Sequence, residues 1–306
     1  MKNLFQKVSS HWVRYSEYVL KEADDGATYI TPAPNATPII LDPLENAEVM
    51  VLDALNVGML QMQQAEDETV KEAVMNFVSK YGLLGFMTAL PTTPRFTDYT
   101  AVYLPKNHFI RTESMKRAEY IDQFFPFEKL DIQTGKDGSM LWNIDTTKHD
   151  KDMMVLAMTY DDCPMAQNMS FQREYAERYD WLATQFKDWA FTFIASYLYY
   201  ADKKTTNEEN LVGYKLGVAA FGGIAPTYHI ELLDKPTIVW DFHSLLLGIQ
   251  MMFSFMLTDE KNPLRLCKQC KTMFLGNRAD AKFCSTKCKN QYNVYKSREK
   301  KKSETE

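Results

Sequence analysis

Long apolar runs are missing from this 306-residue chain. A membrane-spanning helix needs about 20 consecutive apolar residues. The best stretch, Leu245 to Leu257, is shorter and is interrupted by Gly248, Gln250 and Ser254. The opening Met1-Lys2-Asn3-Leu4-Phe5-Gln6 lacks the apolar run of a secretion signal. A cytoplasmic protein with no membrane contact is the expectation. Locally recognisable catalytic motifs are also absent: no glycine-lysine phosphate loop, no G-x-G-x-x-G after a strand, no G-x-S-x-G, no H-E-x-x-H. No internal repeat of 20–50 residues stands out. Histidine is sparse, with five scattered at 11, 108, 149, 229 and 243. His229 and His243 flank a hairpin-like stretch near Glu231 and Asp241, and are read as ordinary residues of a sheet edge and a helix start. The chain is therefore not expected to be an enzyme; a site assembled from distant positions in the body stays as a third alternative.

Cysteine is scarce outside one place. Cys163, in Asp161-Asp162-Cys163-Pro164, stands alone, and the other four fall between 267 and 288. A secreted disulfide framework spreads its cysteines through the fold and leaves no odd one out. What is present instead is Cys267-x2-Cys270, thirteen intervening residues, then Cys284-x3-Cys288. Two close thiol pairs at this spacing suit one structural zinc ion in a closed tetrahedron.

Charge separates along the chain. Residues 261–306 hold thirteen Lys/Arg against four Asp/Glu, a balance of +9, while the rest holds 22 against 36, or −14. Zinc with four thiolates adds −2, leaving the tail at about +7. An acidic body with a basic tail points to an anionic partner for the tail, most simply DNA or RNA.

At 45% hydrophobic and 25% charged residues, the chain has the composition of a globular protein with a sizeable core. The body, 1–260, reads as mainly α with some β (α+β), and 261–306 as a small ββα zinc module. His11 to Leu20 reads as strand, and the four prolines of 31–43 as an extended connection. Asp42-Pro43 reads as the cap and first turn of a helix to about Gln63. Helices are expected over 68–80, 113–125, 171–201 and 207–221, with 87–110 irregular and 127–150 loop-like. Tyr175, Tyr179, Leu182, Phe186, Trp189, Phe193 and Tyr197 recur at helical spacing, which favours a buried core over a stacking surface. A hairpin is expected from Tyr228–Leu233 and Thr237–Trp240, followed by a helix capped by Asp241 and running through Leu257. Lys300-Lys301-Lys302 reads as a frayed end.

Within the module, Met273-Phe274 and Lys282-Phe283 are expected to form a hairpin around Gly276-Asn277, with Phe274 and Phe283 as the apolar floor. Ser285 is the expected N-cap of a helix whose first turn carries Cys288, so that its free N–H groups lie beside the thiolates. Knuckle, hairpin, then helix is the treble-clef order. The segment resembles the treble-clef fingers of bacterial regulators and mobile-element proteins, and is similar to the C-terminal half of MYND-type fingers. With the helix that precedes it, it resembles the CGNR-finger family of stress-induced transcription regulators. Lys289-Asn290-Gln291 follows Cys288 where that family has Gly-Asn-Arg, and the last cysteine pair is spaced differently. The resemblance implies DNA binding by the finger. Lys289, Asn293, Lys296 and Lys300 lie along one face of the expected helix, and Lys287, Arg298 and Lys301 widen it. Tyr292 and Tyr295 are expected to pack on the finger. The alternative is an adaptor whose finger docks a protein partner, its lysines merely solvated. The body would supply dimerisation, sensing or regulation.

Overall fold

The computed structural model describes residues 7–8, 12–42, 44–86, 101–103, 114–116, 126–127, 132–134, 140–142, 176–202, 208–219, 221, 227–242, 244–276, 278 and 280–303. Helices and small sheets mix, an α+β architecture, and the chain divides into two compact units. Unit 1 is Met1–Glu45, Val74–Leu182 and Gly223–Gly248; unit 2 is Asn46–Ala73, Ala183–Gly222 and Ile249–Glu306.

Unit 1 carries most of the strands. β2 (Trp12–Tyr15) pairs antiparallel with β5 (Pro38–Leu41). β3 (Tyr18–Glu22) pairs with β4 (Thr28–Pro32), and β4 in turn with β10 (Glu177–Arg178). A third sheet places β12 (Pro236–Asp241) between the parallel β1 (Lys7–Val8) and the antiparallel β11 (Thr227–Leu232). Pro32 and Pro38 stand at strand ends, where a missing N–H does not interrupt a ladder. The core gathers Trp12, Tyr15, Ile30, Val74, Phe77, Val78, Leu84, Val239 and Phe242.

Glu177 is buried in that unit too, a carboxylate only 2% exposed. Its oxygens accept the backbone N–H groups of Leu84 (2.7 Å), Gly85 and Phe86 (2.8 Å). The apolar stretch 81–86 is thus buried around one acid. Gly82 makes the turn possible: its N–H bonds Val78 O at the end of α2 (Asp67–Tyr81), and its φ of +91° is open to glycine at little cost.

Unit 2 contains α1 (Ala47–Met62), α4 (Glu208–Ala219) and most of α3 (Tyr179–Asp202) and α5 (Leu245–Thr258). Met50, Val51, Leu55, Phe186, Trp189, Ala190, Phe193, Met252, Phe253 and Met256 fill its core. The aromatic pattern of α3 is buried at Phe186, Trp189 and Phe193, while Tyr197 is 40% exposed. Gly58 lets α1 and α3 touch, since a Cβ there would lie 2.0 Å from the Phe186 carbonyl oxygen. The two-stranded β13 (Leu264–Leu266) and β14 (Met273–Leu275) and the final helix α6 (Thr286–Ser303) complete the unit.

Several expected boundaries move. Asp42 does not start α1: its carboxylate takes the Leu44 N–H (2.8 Å), a local turn that competes with helix, and α1 begins after Asn46. Asp241 ends β12, opposite Thr227, and the cap of α5 is Ser244, whose hydroxyl accepts the Leu247 N–H. The long helix begins at Tyr179, because Glu177 and Arg178 are taken into the sheet beside Ile30 and Tyr29; residues 171–175 lie outside the described set. Inside the helix expected over 113–125, Ser114–Lys116 (β7) forms a strand with Ala101–Tyr103 (β6). Inside the expected loop 127–150, Ile132–Thr134 (β8) pairs with Met140–Trp142 (β9). In both cases pairing outweighs weak local preference. The backbone helix of α6 continues through the lysine run to Ser303 rather than fraying at 300.

Candidate metal centre

A knuckle, a strand pair and a helix start bring the four thiols together. The chain folds back between Cys267 and Thr272, closed by Cys267 N–H to Thr272 O (2.9 Å) and Lys271 N–H to Cys267 O (3.0 Å). Lys271 takes the left-handed conformation at φ +60° that this reversal requires. The strand pair is β13 with β14, flanking the knuckle. The expected partner of 273–274, Lys282-Phe283, lies instead under the knuckle, where the Lys282 carbonyl accepts the Lys268 N–H at 2.9 Å. Met273 is the buried residue of β14, with Phe274 only half-buried. Ser285 caps α6 as expected: its hydroxyl accepts the Cys288 N–H at 3.2 Å.

The four sulfurs of Cys267, Cys270, Cys284 and Cys288 all lie within 4.8 Å of one another, and this group can hold a metal ion. Cys270 Sγ and Cys288 Sγ each stand 3.6 Å from Cys284 Sγ. A tetrahedral ion with metal–sulfur bonds of about 2.3 Å sets its sulfurs about 3.8 Å apart, so the donors fit a four-coordinate site. None of the four is in a disulfide.

The electrostatics of the thiols explain why a cation suits them. Burial works against the Cys267 thiolate, but the backbone N–H groups of Cys270, Cys284 and Gln269 outweigh it and lower the thiol from 9.0 to about 6. Cys284 goes the other way, pushed up from 9.0 to about 12 by burial and by the sulfurs of Cys288, Cys270 and Cys267. Thiolates this close repel, so one keeps its proton unless a divalent ion supplies the compensating charge.

Asn56 belongs to this site, and the sequence reading passed over it. From α1 its side chain pairs with both main-chain groups of Met273, accepting the N–H at 2.7 Å and donating to the carbonyl at 3.3 Å. Gln63, just past α1, donates to the Lys271 carbonyl at 3.4 Å. Asn56 thus acts as an extra strand edge for β14. The signal available was one amide in the apolar run Ala54-Leu55-Asn56-Val57-Gly58.

The side of α6 that packs is settled by Cys288 at the sulfur cluster and by Tyr292, whose ring meets Phe283 at 5.2 Å. The remaining residues of 286–298 are exposed, among them Lys287, Lys289, Asn293, Lys296 and Arg298. Tyr295, expected to pack, is 49% exposed. At 3.6 residues per turn, Lys289 and Lys296 share one flank of the helix, while Lys287 and Arg298 stand on the other, about 160° away. Lys300 continues the first flank along the backbone, and its side chain lies outside the described residues.

His229 sits on β11 opposite Val239. Asp241 is opposite Thr227 on the same hairpin. Cys163, His11, His108, His149 and His243 lie outside the described residues. No helix among the described residues is long and apolar enough to cross a membrane. Compared with family models, with curated proteins and with solved structures, the chain finds no match.

Proposed function

We propose that this chain is a zinc protein whose C-terminal finger binds nucleic acid through α6. Four thiols at tetrahedral separation favour zinc, which takes such ligands in closed structural sites. Bound there, Cys267, Cys270, Cys284 and Cys288 would hold one ion that supplies structure rather than reactivity. The knuckle comes before the helix, as in a treble clef, while the strand pair flanks the knuckle instead of following it. That order, with α5 leading into the knuckle, supports placing the chain beside CGNR-finger regulators. Free thiols suit a reducing compartment, so the cytoplasm is the proposed location.

The observation that carries the nucleic-acid reading is the charge of α6. Thr286–Ser303 contains seven Lys/Arg and one acid, Glu299, and the four described cations 287, 289, 296 and 298 are exposed. A polyanion with regularly spaced phosphates matches that surface. The second reading, a finger that docks a protein, draws on Val294 and Tyr295, each 49% exposed on the same helix.

Titration of the zinc-loaded full chain against a DNA duplex over a range of salt separates the two. If all four described cations meet phosphates, the log–log slope of affinity against salt is about −4. Changing Lys289, Lys296 and Lys300 to Glu together should abolish the complex. Unchanged affinity in that variant overturns the reading and leaves the protein-docking finger.

A further inference from the structure

The exposed surface of α6 is not uniformly basic. Packing by Cys288 and Tyr292 fixes which side faces the finger. Stepping about 100° per residue from there, the side pointing away carries Thr286, Asn290, Val294 and Ser297, with Asn293 beside them toward the Lys289 flank. All five are exposed, and none of their side chains is engaged in a hydrogen bond among the described residues. Lys289 and Lys296 border this uncharged ridge on one side, Lys287 and Arg298 on the other. The helix therefore presents three parallel stripes: cationic, uncharged with two amides, two hydroxyls and Val294, and cationic.

From this arrangement, and resting on the nucleic-acid reading above, we propose that α6 enters the major groove of duplex DNA, with Asn290, Asn293 and Ser297 reading base edges. The B-form major groove is about 12 Å wide and accepts a helix whose diameter with side chains is about 10–12 Å. A helix lying there has a phosphate backbone along each side, which is where the two cationic stripes stand. The base edges lie along its outward ridge. Asparagine pairs bidentately with adenine N6 and N7, and a serine hydroxyl can donate or accept at any base edge. Asn290 to Ser297 covers about 10 Å along the helix, the rise of about three base pairs.

Two alternatives fit the stripes less well. The A-form major groove of double-stranded RNA is too deep and narrow for a helix. A single strand has one backbone, and it would leave one cationic stripe without phosphates. The ridge is also a poor choice for a merely solvated helix face. Asparagine and serine are weaker helix formers than the alanine, glutamate or lysine that would serve there.

The test uses the full zinc-loaded chain. Selection from a randomised DNA duplex should yield a preferred site, and the ratio of affinity for that site to affinity for random duplex is the readout. Asn290→Ala, Asn293→Ala and Ser297→Ala together should reduce that ratio about tenfold or more. Each of Lys287→Gln and Lys296→Gln should instead lower both affinities in parallel and reduce the salt slope by about 1. Zinc content and helix content, measured on each variant, separate loss of reading from loss of folding; alanine at these positions favours helix. A ratio unchanged in the triple variant overturns the assignment. So does equal or tighter binding of an RNA duplex or single-stranded DNA of the selected sequence. Neither result touches the broader nucleic-acid reading, which fails only if no nucleic acid binds in a salt-dependent way.

Discussion

At two places among the described residues, one in each unit, three main-chain N–H groups converge on one side chain, and the two places end differently. In unit 1 the loop 84–86 turns its N–H groups onto Glu177, and the chain itself provides the whole arrangement. In unit 2 the N–H groups of Gln269, Cys270 and Cys284 turn onto the sulfur of Cys267, beside three more thiols. One carboxylate balances its donors. Four neighbouring sulfurs over-balance theirs, and together they can hold an ion from outside. The first arrangement is therefore structural and closed, and the second is open to a ligand.

Removing the metal should break this comparison most strongly. Structural zinc in small fingers carries about 10 kcal/mol or more of folding free energy. A strong chelator should strip hydrogen-exchange protection from residues 264–288 while leaving the Leu84, Gly85 and Phe86 amides protected. Equal loss at both places would mean that the two arrangements do not differ as described. Next in size is Glu177→Ala, which leaves three buried N–H groups without an acceptor and should cost about 3 kcal/mol or more in urea unfolding. Zinc stoichiometry should be unaffected, and Glu177→Gln, which keeps one oxygen, should cost less.

Asn56→Ala probes the border between structure and metal. Losing both bonds to Met273 should cost about 2 kcal/mol and speed zinc transfer to a competing chelator. Transfer at the wild-type rate would show that α1 does not support the knuckle. Lys271→Gly should have the smallest effect, a gain of up to about 1 kcal/mol, because glycine takes the left-handed conformation without a Cβ penalty. Thermal melting of the zinc-loaded chain reads it.

How much of this was legible in the sequence follows from how local each feature is. The gathering of the four cysteines, the Ser285 cap and the hairpin of β11 and β12 are encoded in short stretches, and the structure agrees with each. Helix starts at 42 and 241 were misplaced because Asp42 and Asp241 bear the look of caps, while a turn and a strand register claim them. β7, β8 and β9 have little strand signal of their own, since pairing partners make them strands. Glu177 and Asn56 were illegible for a related reason. Each acts on main-chain groups 91 to 93 and 217 residues away in sequence, a relation no local pattern carries. Helical periodicity did contain the three stripes of α6, but the packed side had to be known before the ridge could be oriented.

Native mass spectrometry of the full chain tests the central claim most directly. One zinc ion per chain, with the corresponding protons displaced and the ion lost in Cys284→Ser, is the predicted result. A wild-type chain that stays metal-free in the presence of zinc, or a Cys284→Ser chain that retains the ion as tightly, would contradict it.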